Sequence, residues 1–368
     1  MPLHSWLPRS VLSTRVIWFF AIAVAYSLLP NARPDLSIFN VDDSESYLAL
    51  SYALTHGFGY TRSLVAGLYI PHTTWPPGFP LLLAPVMAVG GLPIDWLCIK
   101  AFMIAIGLTG IALAWFYVRR VTASIITADV AALLLASMPF YWMFSRTAMT
   151  EGPTVTFLLL ALLLMDLAWA QRCPRASQVA LVGLISGLGM LLRGTNVCLV
   201  FVPLAYAAGR RKAIASPLRR LVLLAVHGVA FCIPFLGWAA RNRSVDKQGL
   251  GFDGIDQVRM FLVAHPLDQA SPMITAGGML RSAIENIEYR IIYHVPEQLI
   301  PGLWNAGWWR WPGAPFIAAG LTLAVVLVAL PRNTSGLPLV LTIVPYVAVL
   351  NIYAFGGRSD SGFRSPVC

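Results

Sequence analysis

The stretch LCIKAFMIAIGLTGIALAWFYV, from Leu97 to Val118, decides the fold class because it is apolar almost throughout. A helix needs about 20 residues to span the roughly 30 Å hydrocarbon core of a bilayer. The stretch shows no strand-like alternation of polar and apolar residues, and Arg119 and Arg120 follow it directly. It therefore predicts a membrane-spanning helix.

The composition of the whole chain extends this interpretation beyond one segment. Of 368 residues, 58% are hydrophobic and 11% are charged, whereas an ordinary soluble domain carries about 25% charged residues. Apolar runs recur at about 12–30, 78–94, 97–118, 130–144, 153–170, 178–192, 196–208, 219–240, 314–331 and 337–355. The sequence predicts an all-α integral membrane protein with about 9–10 transmembrane or re-entrant helices, forming a single multi-span domain over residues 1–368.

The charge pattern argues against a nucleic-acid partner and indicates the topology. The net charge is +10, but the basic residues lie in short clusters between apolar runs. Four such connections contain Lys or Arg and no acid, which predicts that they are cytoplasmic: 119–120, 171–175, 209–220 and 331–333. The outer side then carries residues 31–77, 145–152 and 241–313, with nearly every carboxylate of the chain.

Three local features refine this topology. Only one full span fits between residues 77 and 118, so the run 78–94, with its internal Pro85, is predicted to be re-entrant or partly spanning. The first run, 12–30, shows no small-residue cleavage site and is predicted to be an uncleaved span. The five cysteines have no metal-ligand spacing and favour packing roles.

The outer stretch NVDDSESY, from Asn40 to Tyr47, gathers three carboxylates beside the first run. A helical pattern follows it, so one acid could cap that helix while the others are solvated. We favour solvation or helix-start roles for Asp42 and Glu45. Asp43 is the catalytic candidate.

A second outer stretch, SRTAMTEGPTVTF, from Ser145 to Phe157, holds Arg146 and Glu151. Glu151 begins an apolar run, where a carboxylate is costly unless it is paired or hydrated. A salt bridge to Arg146, a favourable place at a helix N-terminus and a catalytic role remain open for it. Pro153 suits the first turn of the next helix.

Cations at the outer ends of the predicted spans, Arg193, Arg241, Arg243 and Arg364, run against the usual cytoplasmic bias of basic residues. Such arginines require an anionic partner, which either a phosphate-bearing lipid substrate or ordinary phospholipid headgroups would supply. In PHTTWPPGFP (Pro71 to Pro80), Trp75 and the proline pair favour an interface anchor, and His72 is a candidate acid, base or metal ligand.

The order of these motifs resembles the GT-C superfamily of glycosyltransferases. The first-loop Asp43 lies four residues before Tyr47, and WPPGFPLLL, SRTAMTEGP, GLGMLLRGTN and the RN of WAARNR follow in turn, to about residue 250. The chain is most similar to members related to the protein O-mannosyltransferases and the lipid A aminoarabinose transferase.

The resemblance implies an enzyme that moves a sugar from a polyprenyl-phosphate carrier to a lipid, glycan or protein acceptor on the outer face. Its first-loop carboxylate, here Asp43, acts as a base or orients the acceptor, and Glu151 corresponds to the second outer acid. Arg146, the four boundary arginines and Tyr47 would bind donor and lipid phosphate, and 241–313 would form a substrate or acceptor region. A bacterial cytoplasmic (inner) membrane with the active site facing outward suits this interpretation.

The sequence also departs from the family pattern. Metal-binding relatives place an acid just before the proline pair, where this chain reads HTTW. A divalent metal would therefore depend on His72, with His265 as a candidate second ligand. GGRSDSGFRSPVC, which contains Arg364, resembles an Arg-rich segment that usually leads into further spans, so the chain is a short member, a truncated product or a chain lacking its last part.

Two other functional classes compete with the transferase. A transporter or flippase would use intramembrane charge, but the acids gather on one side and the two halves show no repeat. A non-catalytic membrane scaffold would leave the outer acids and arginines unexplained.

Overall fold

The computed structural model describes residues 42–65, 68–90, 96–138, 141, 144–169, 171, 173–209 and 216–247, with further single positions at 18, 21, 22, 275, 277, 278, 281 and 284. The elements are α1 (Asp42–Thr55), β1 (Thr61–Val65), β2 (Leu68–Pro71), α2 (Gly78–Gly90), α3 (Trp96–Thr122), α4 (Ile125–Ser137), α5 (Glu151–Trp169), α6 (Ala176–Leu192), a 3-10 helix (Gly194–Val200), α7 (Val202–Gly209) and α8 (Pro217–Lys247). The predicted all-α class is confirmed.

Helix length separates the membrane spans from the shorter elements. Among the described helices, α3, α5 and α8 are long and apolar enough to cross a membrane, so the chain is an integral membrane protein. Helix α2 has 13 residues, about 20 Å at 1.5 Å per residue, which agrees with the prediction that it spans only partly. Runs 314–331 and 337–355, and most of 12–30, lie outside the described residues, so the total of 9–10 stays a prediction.

Two helical elements differ from the apolar runs that predicted them. Helix α8 continues to Lys247, beyond the end of the run 219–240, because no Gly or Pro interrupts Trp238–Lys247. The run 196–208 is a 3-10 helix followed by α7. Pro203, which lacks a backbone N–H, lies in the first turn of α7, where a helix tolerates proline.

The predicted outer loop, residues 31–77, contains a β-hairpin, which the prediction of an all-α protein did not include. Strands β1 and β2 pair antiparallel, with Thr61 opposite Pro71 and Ser63 opposite Tyr69. Gly57 and Gly59, with φ of 77° and 72°, lie between α1 and the hairpin. Glycine adopts this left-handed conformation without a steric penalty, which permits the turn out of α1.

The chain divides into two compact units, each built from two segments. The first unit contains residues 1–57 and 79–163, and the second contains residues 58–78 and 164–368. In the first unit, α3 packs against α4 through a core of Ile111, Trp115, Ala128, Ala132 and Tyr141. The indole Nε1 of Trp115 donates to Asp129 Oδ1 at 2.7 Å, so this apolar helix pair holds a hydrogen-bonded acid.

The second unit depends on close contact between α6 and α8. A Cβ added to Gly183 would lie 2.6 Å from the backbone oxygen of His227, and one added to Gly187 would lie 2.1 Å from that of Phe231. Both positions therefore need glycine. Small residues at every fourth position let two helix backbones approach each other in a membrane.

We expect Gly187→Ala to destabilise the second unit by about 1–3 kcal/mol, because the methyl group forces the two helices apart. Gly228→Ala is the matched control, since a Cβ there meets nothing within 4 Å. In that half-buried helical position alanine should be neutral or slightly stabilising. Thermal unfolding of the detergent-solubilised variants measures both effects, and equal melting temperatures would contradict the packing argument.

Candidate active site

Helix α1 carries the first catalytic candidate in its opening turn. Asp42 is the first residue of the helix and Asp43 the second. The first backbone N–H groups of a helix have no partner within it, and the positive end of its dipole favours a carboxylate in the ionised form. Glu45 is exposed, which agrees with the solvated role expected for it.

Tyr47 packs against the segment that follows the proline pair. Its ring is 4% exposed and packs edge-on against Phe79, with 5.1 Å between the ring centroids. The Ser51 hydroxyl lies 2.7 Å from the Tyr47 carbonyl and 3.1 Å from the Pro80 carbonyl. The Tyr47 ring thus contributes to packing, and its predicted contact with substrate stays a prediction.

The second candidate, Glu151, begins α5 after a buried connection. Arg146 in that connection is 8% exposed, and Glu151 is half-buried at the helix start. The Thr154 N–H donates to the Thr150 carbonyl at 2.8 Å. A cation and a carboxylate therefore lie five residues apart, on a short connection that is largely shielded from solvent.

Helix α3 holds this connection in place. A Cβ added to Gly107 would lie 2.3 Å from Ser145 Oγ, so α3 touches the residue before Arg146. The Tyr141 hydroxyl donates to the Gly107 carbonyl at 2.8 Å, and the Thr156 hydroxyl donates to the Ile106 carbonyl at 3.0 Å. The start of α5 and the connection before it are both anchored to the middle of α3.

The His72 ring is buried in the HTTW turn. It is 2% exposed, and its Nε2 accepts the backbone N–H of Trp75 at 2.9 Å. Among the described residues, no three His, Cys, Asp or Glu side chains are grouped as metal ligands. His72 thus shapes the HTTW turn, its role as a metal ligand stays a prediction, and we route no chemistry through a metal. His265 lies outside the described residues.

Arg241 forms hydrogen bonds with the segment between α1 and α2. Its guanidinium donates to the His72 carbonyl and, at 3.1 Å, to the Tyr60 carbonyl. The neighbouring Asn242 donates through Nδ2 to the Thr73 carbonyl at 3.0 Å. We call this arrangement of Arg241 and Asn242 on the carbonyls of residues 60, 72 and 73 the loop clasp.

Aromatic contacts complete the loop clasp. The Arg241 guanidinium carbon lies 5.0 Å from the ring centroid of Trp238 and 5.6 Å from that of Tyr60, within the range of cation–π attraction. The Tyr60 hydroxyl donates to the Trp75 carbonyl at 2.8 Å. These contacts give Arg241 a structural role, and its predicted role as a lipid-phosphate ligand stays a prediction.

The remaining predicted cations differ in exposure. Arg193 ends α6, with its backbone N–H on the Gly189 carbonyl at 3.0 Å, and is half-buried. Arg243 is exposed near the end of α8. Arg364 lies outside the described residues. Phosphate binding by these three residues stays a prediction.

The structure sorts the predicted site residues between the two units. Asp43, Tyr47, Arg146 and Glu151 belong to the first unit, whereas His72, Arg193, Arg241 and Arg243 belong to the second. The first unit thus contains both candidate carboxylates and a buried cation.

Comparison with known proteins adds the family. Residues 74–238 match the family model described as Dolichyl-phosphate-mannose-protein mannosyltransferase. The match covers less than half of the chain, and we call these residues the GT-C segment because they resemble that family. The GT-C segment includes Arg146, Glu151 and Arg193 but begins after Asp43, Tyr47 and His72 and ends before Arg241.

A solved structure also resembles the chain. It is ArnT from Cupriavidus metallidurans in the apo state, with 15% sequence identity and a TM-score of 0.49. The match covers 92% of this chain and 60% of ArnT, so the chain spans about three fifths of the length of that protein. No curated protein sequence matches the chain.

Proposed function

We propose that the chain is a membrane glycosyltransferase that moves a sugar from a polyprenyl-phosphate carrier to an acceptor hydroxyl. The observation that carries the proposal is the GT-C segment, residues 74–238, whose Arg146 and Glu151 share a compact unit with Asp43. The family description names a lipid-phosphate sugar as the donor and a protein as the acceptor. For this chain we commit to the donor class and leave the acceptor as a lipid, glycan or protein.

Asp43 acts as the base or orienting carboxylate in this proposal. The acceptor oxygen forms a bond to the anomeric carbon while the bond from that carbon to the phosphate oxygen breaks. The acceptor proton passes to the Asp43 carboxylate, and the electron pair of the broken bond leaves with the lipid phosphate. This single displacement inverts the anomeric centre. Because a phosphate is a good leaving group, no residue has to protonate it.

Arg146 and Glu151 support the same step from the connection before α5. A buried guanidinium stabilises the negative charge that grows on the departing phosphate more strongly than a solvated one would. The Glu151 carboxylate, at the start of a helix, can accept a hydrogen bond from a hydroxyl of the sugar or the acceptor. Both residues fall within the GT-C segment.

The proposed reaction takes place on the outer face of a bacterial cytoplasmic membrane. Helix α3 ends with Arg119 and Arg120 in its last turn, and such basic ends favour the cytoplasm. The other end of α3, and the 145–150 connection, would then face outward. Cysteine accessibility tests this directly: in a cysteine-free background, Glu45→Cys should label from outside and Lys212→Cys only after permeabilisation.

Transfer itself is tested with the purified chain in nanodiscs, a panel of radiolabelled polyprenyl-phosphate sugars and a membrane extract as acceptor. We expect radiolabel from at least one donor to move to the extract and free polyprenyl phosphate to appear in equal amount. Asp166→Asn, at a half-buried position near the opposite end of α5 from Glu151, is a control that should retain transfer. No transfer from any donor would overturn the proposal.

A further inference from the structure

Two buried glycines in the middle of α3 leave room for hydroxyl groups from other segments. A Cβ added to Gly107 would overlap the Ser145 hydroxyl, and one added to Gly110 would overlap the Tyr141 hydroxyl. Because neither glycine has a side chain, these hydroxyls reach the backbone of an otherwise apolar helix. We call Gly107 and Gly110, with the helix surface between them, the glycine notch.

The side chains of Tyr141 and Thr156 form hydrogen bonds in the glycine notch. The Tyr141 hydroxyl donates to the Gly107 carbonyl at 2.8 Å and lies 3.5 Å from Thr156 Oγ1, which donates to the Ile106 carbonyl at 3.0 Å. Tyr141 is 6% exposed. One of these residues precedes the connection 145–150 and the other follows it. The two ends of the connection are therefore fixed to adjacent carbonyls of α3.

The backbone of Tyr141 also holds the start of the connection. Its carbonyl accepts the backbone N–H of Ser145 at 2.9 Å and the Ser145 hydroxyl at 2.7 Å. Ser145 is fully buried and directly precedes Arg146. Tyr141 thus links α3, through its hydroxyl, to the residue before Arg146, through its carbonyl. All of these residues belong to the first unit.

We propose that Tyr141 is a positioning residue for sugar transfer and that Thr156 completes its action. The two hydroxyls fix the places of Arg146 and Glu151 at the connection 145–150 and do not themselves contact the substrate. A displacement of about 1 Å in a reacting site can cost about a hundredfold in rate. The inference rests on the proposed function for the reaction that Arg146 and Glu151 support.

Tyr141→Phe should lower kcat for sugar transfer about tenfold or more, because the connection loses its fixed position. The KM for the polyprenyl-phosphate sugar should stay within about twofold, since the charge that Arg146 stabilises develops only in the transition state. The phenyl ring fills the same space, and the Gly107 carbonyl remains an acceptor within α3. The melting temperature should therefore fall only slightly. Initial rates and thermal unfolding of the full chain in nanodiscs measure these quantities.

Trp115→Phe is the matched structural control. It removes another hydrogen bond between helices of the same unit, from the Trp115 indole to Asp129, and it also reduces the volume of a buried ring. The melting temperature should fall at least as far as in Tyr141→Phe, whereas kcat should stay close to that of the wild type. If kcat falls in both variants in step with the melting temperature, Tyr141 has a merely structural role and the proposal is overturned.

Thr156 allows a second comparison that keeps or removes one hydroxyl. Thr156→Ser should retain kcat, and Thr156→Val should lose it as Tyr141→Phe does. Thr109→Val is the matched control on α3, because it removes an exposed hydroxyl that bonds to the Ala105 carbonyl of the same helix at 2.7 Å. It should transfer sugar as the wild type does. Equal kcat values for Thr156→Ser and Thr156→Val would overturn the role of this hydroxyl.

Hydrogen–deuterium exchange of residues 145–150 separates this proposal from the proposed function. We expect faster exchange there in Tyr141→Phe and Thr156→Val, but not in Trp115→Phe or Thr109→Val. If the wild type transfers sugar and Tyr141→Phe has the same kcat, the positioning role fails and the proposed function stands. If the wild type transfers no sugar from any donor while Tyr141→Phe still exchanges faster, the proposed function fails and the hold of Tyr141 on the connection stands.

Discussion

Asp43→Asn should reduce sugar transfer by about a hundredfold or more, the usual contribution of a positioned acid or base. The amide keeps the size of the side chain but cannot take the acceptor proton. Because the carrier phosphate binds elsewhere in the proposed mechanism, binding of polyprenyl monophosphate should be unchanged. Initial rates with the best donor, measured beside that binding constant, check both expectations.

The two neighbouring acids provide matched controls for Asp43. Asp42 begins the same helix and Glu45 is exposed on it. Asp42→Asn and Glu45→Gln change charge by the same amount within three residues, and we expect both to transfer sugar at close to the wild-type rate. If all three variants lose activity alike, a general effect of negative charge explains the result and the specific role of Asp43 is wrong.

Arg241→Met should release the first outer loop from α8. The substitution removes the contacts of the guanidinium with the carbonyls of Tyr60 and His72, and each hydrogen bond from a charged group is worth about 1.5–3 kcal/mol. We expect the hairpin segment to become sensitive to protease and the melting temperature to fall. Limited proteolysis from the outer face, followed by mass spectrometry of the fragments, locates the released segment.

Arg243→Met is the matched control for the loop clasp, since Arg243 is exposed on the same helix two residues away. It should leave the protease pattern of the hairpin unchanged. Arg241→Lys should fall between the wild type and Arg241→Met, because a lysine retains the charge but cannot donate to two carbonyls in a fixed geometry. A protected hairpin in Arg241→Met would show that the loop is held by other contacts.

The sequence predicted the helical class because a span leaves a strong signal. The runs that became α3 and α5 are long and apolar, and a helix satisfies all the backbone hydrogen bonds of such a run within the segment itself. The hairpin left a weaker signal. Thr61–Val65 and Leu68–Pro71 are short and separated by Ala66 and Gly67, and that two-residue spacing could have suggested a hairpin. Because the preceding stretch has a helical pattern, the hairpin was not predicted.

The candidate site was predictable where chemistry depends on residue type, and less so where it depends on contacts. Glu151 was placed correctly at a helix start because an acid followed by Pro153 marks one. The charge of Arg241 is visible in the sequence and predicts an anionic partner, but its hydrogen bonds to backbone carbonyls more than 160 residues earlier are not predictable from sequence spacing.

The loop clasp also bears on biosynthesis. It joins residues 169 and 181 positions apart in the chain, so Tyr60 and His72 are synthesised long before Arg241. Until α8 has been made and inserted, the loop that contains Tyr60 and His72 lacks these contacts. The loop therefore reaches its final structure late. Nascent chains stalled before residue 241 should leave the loop sensitive to protease, whereas chains stalled well beyond residue 247 should protect it.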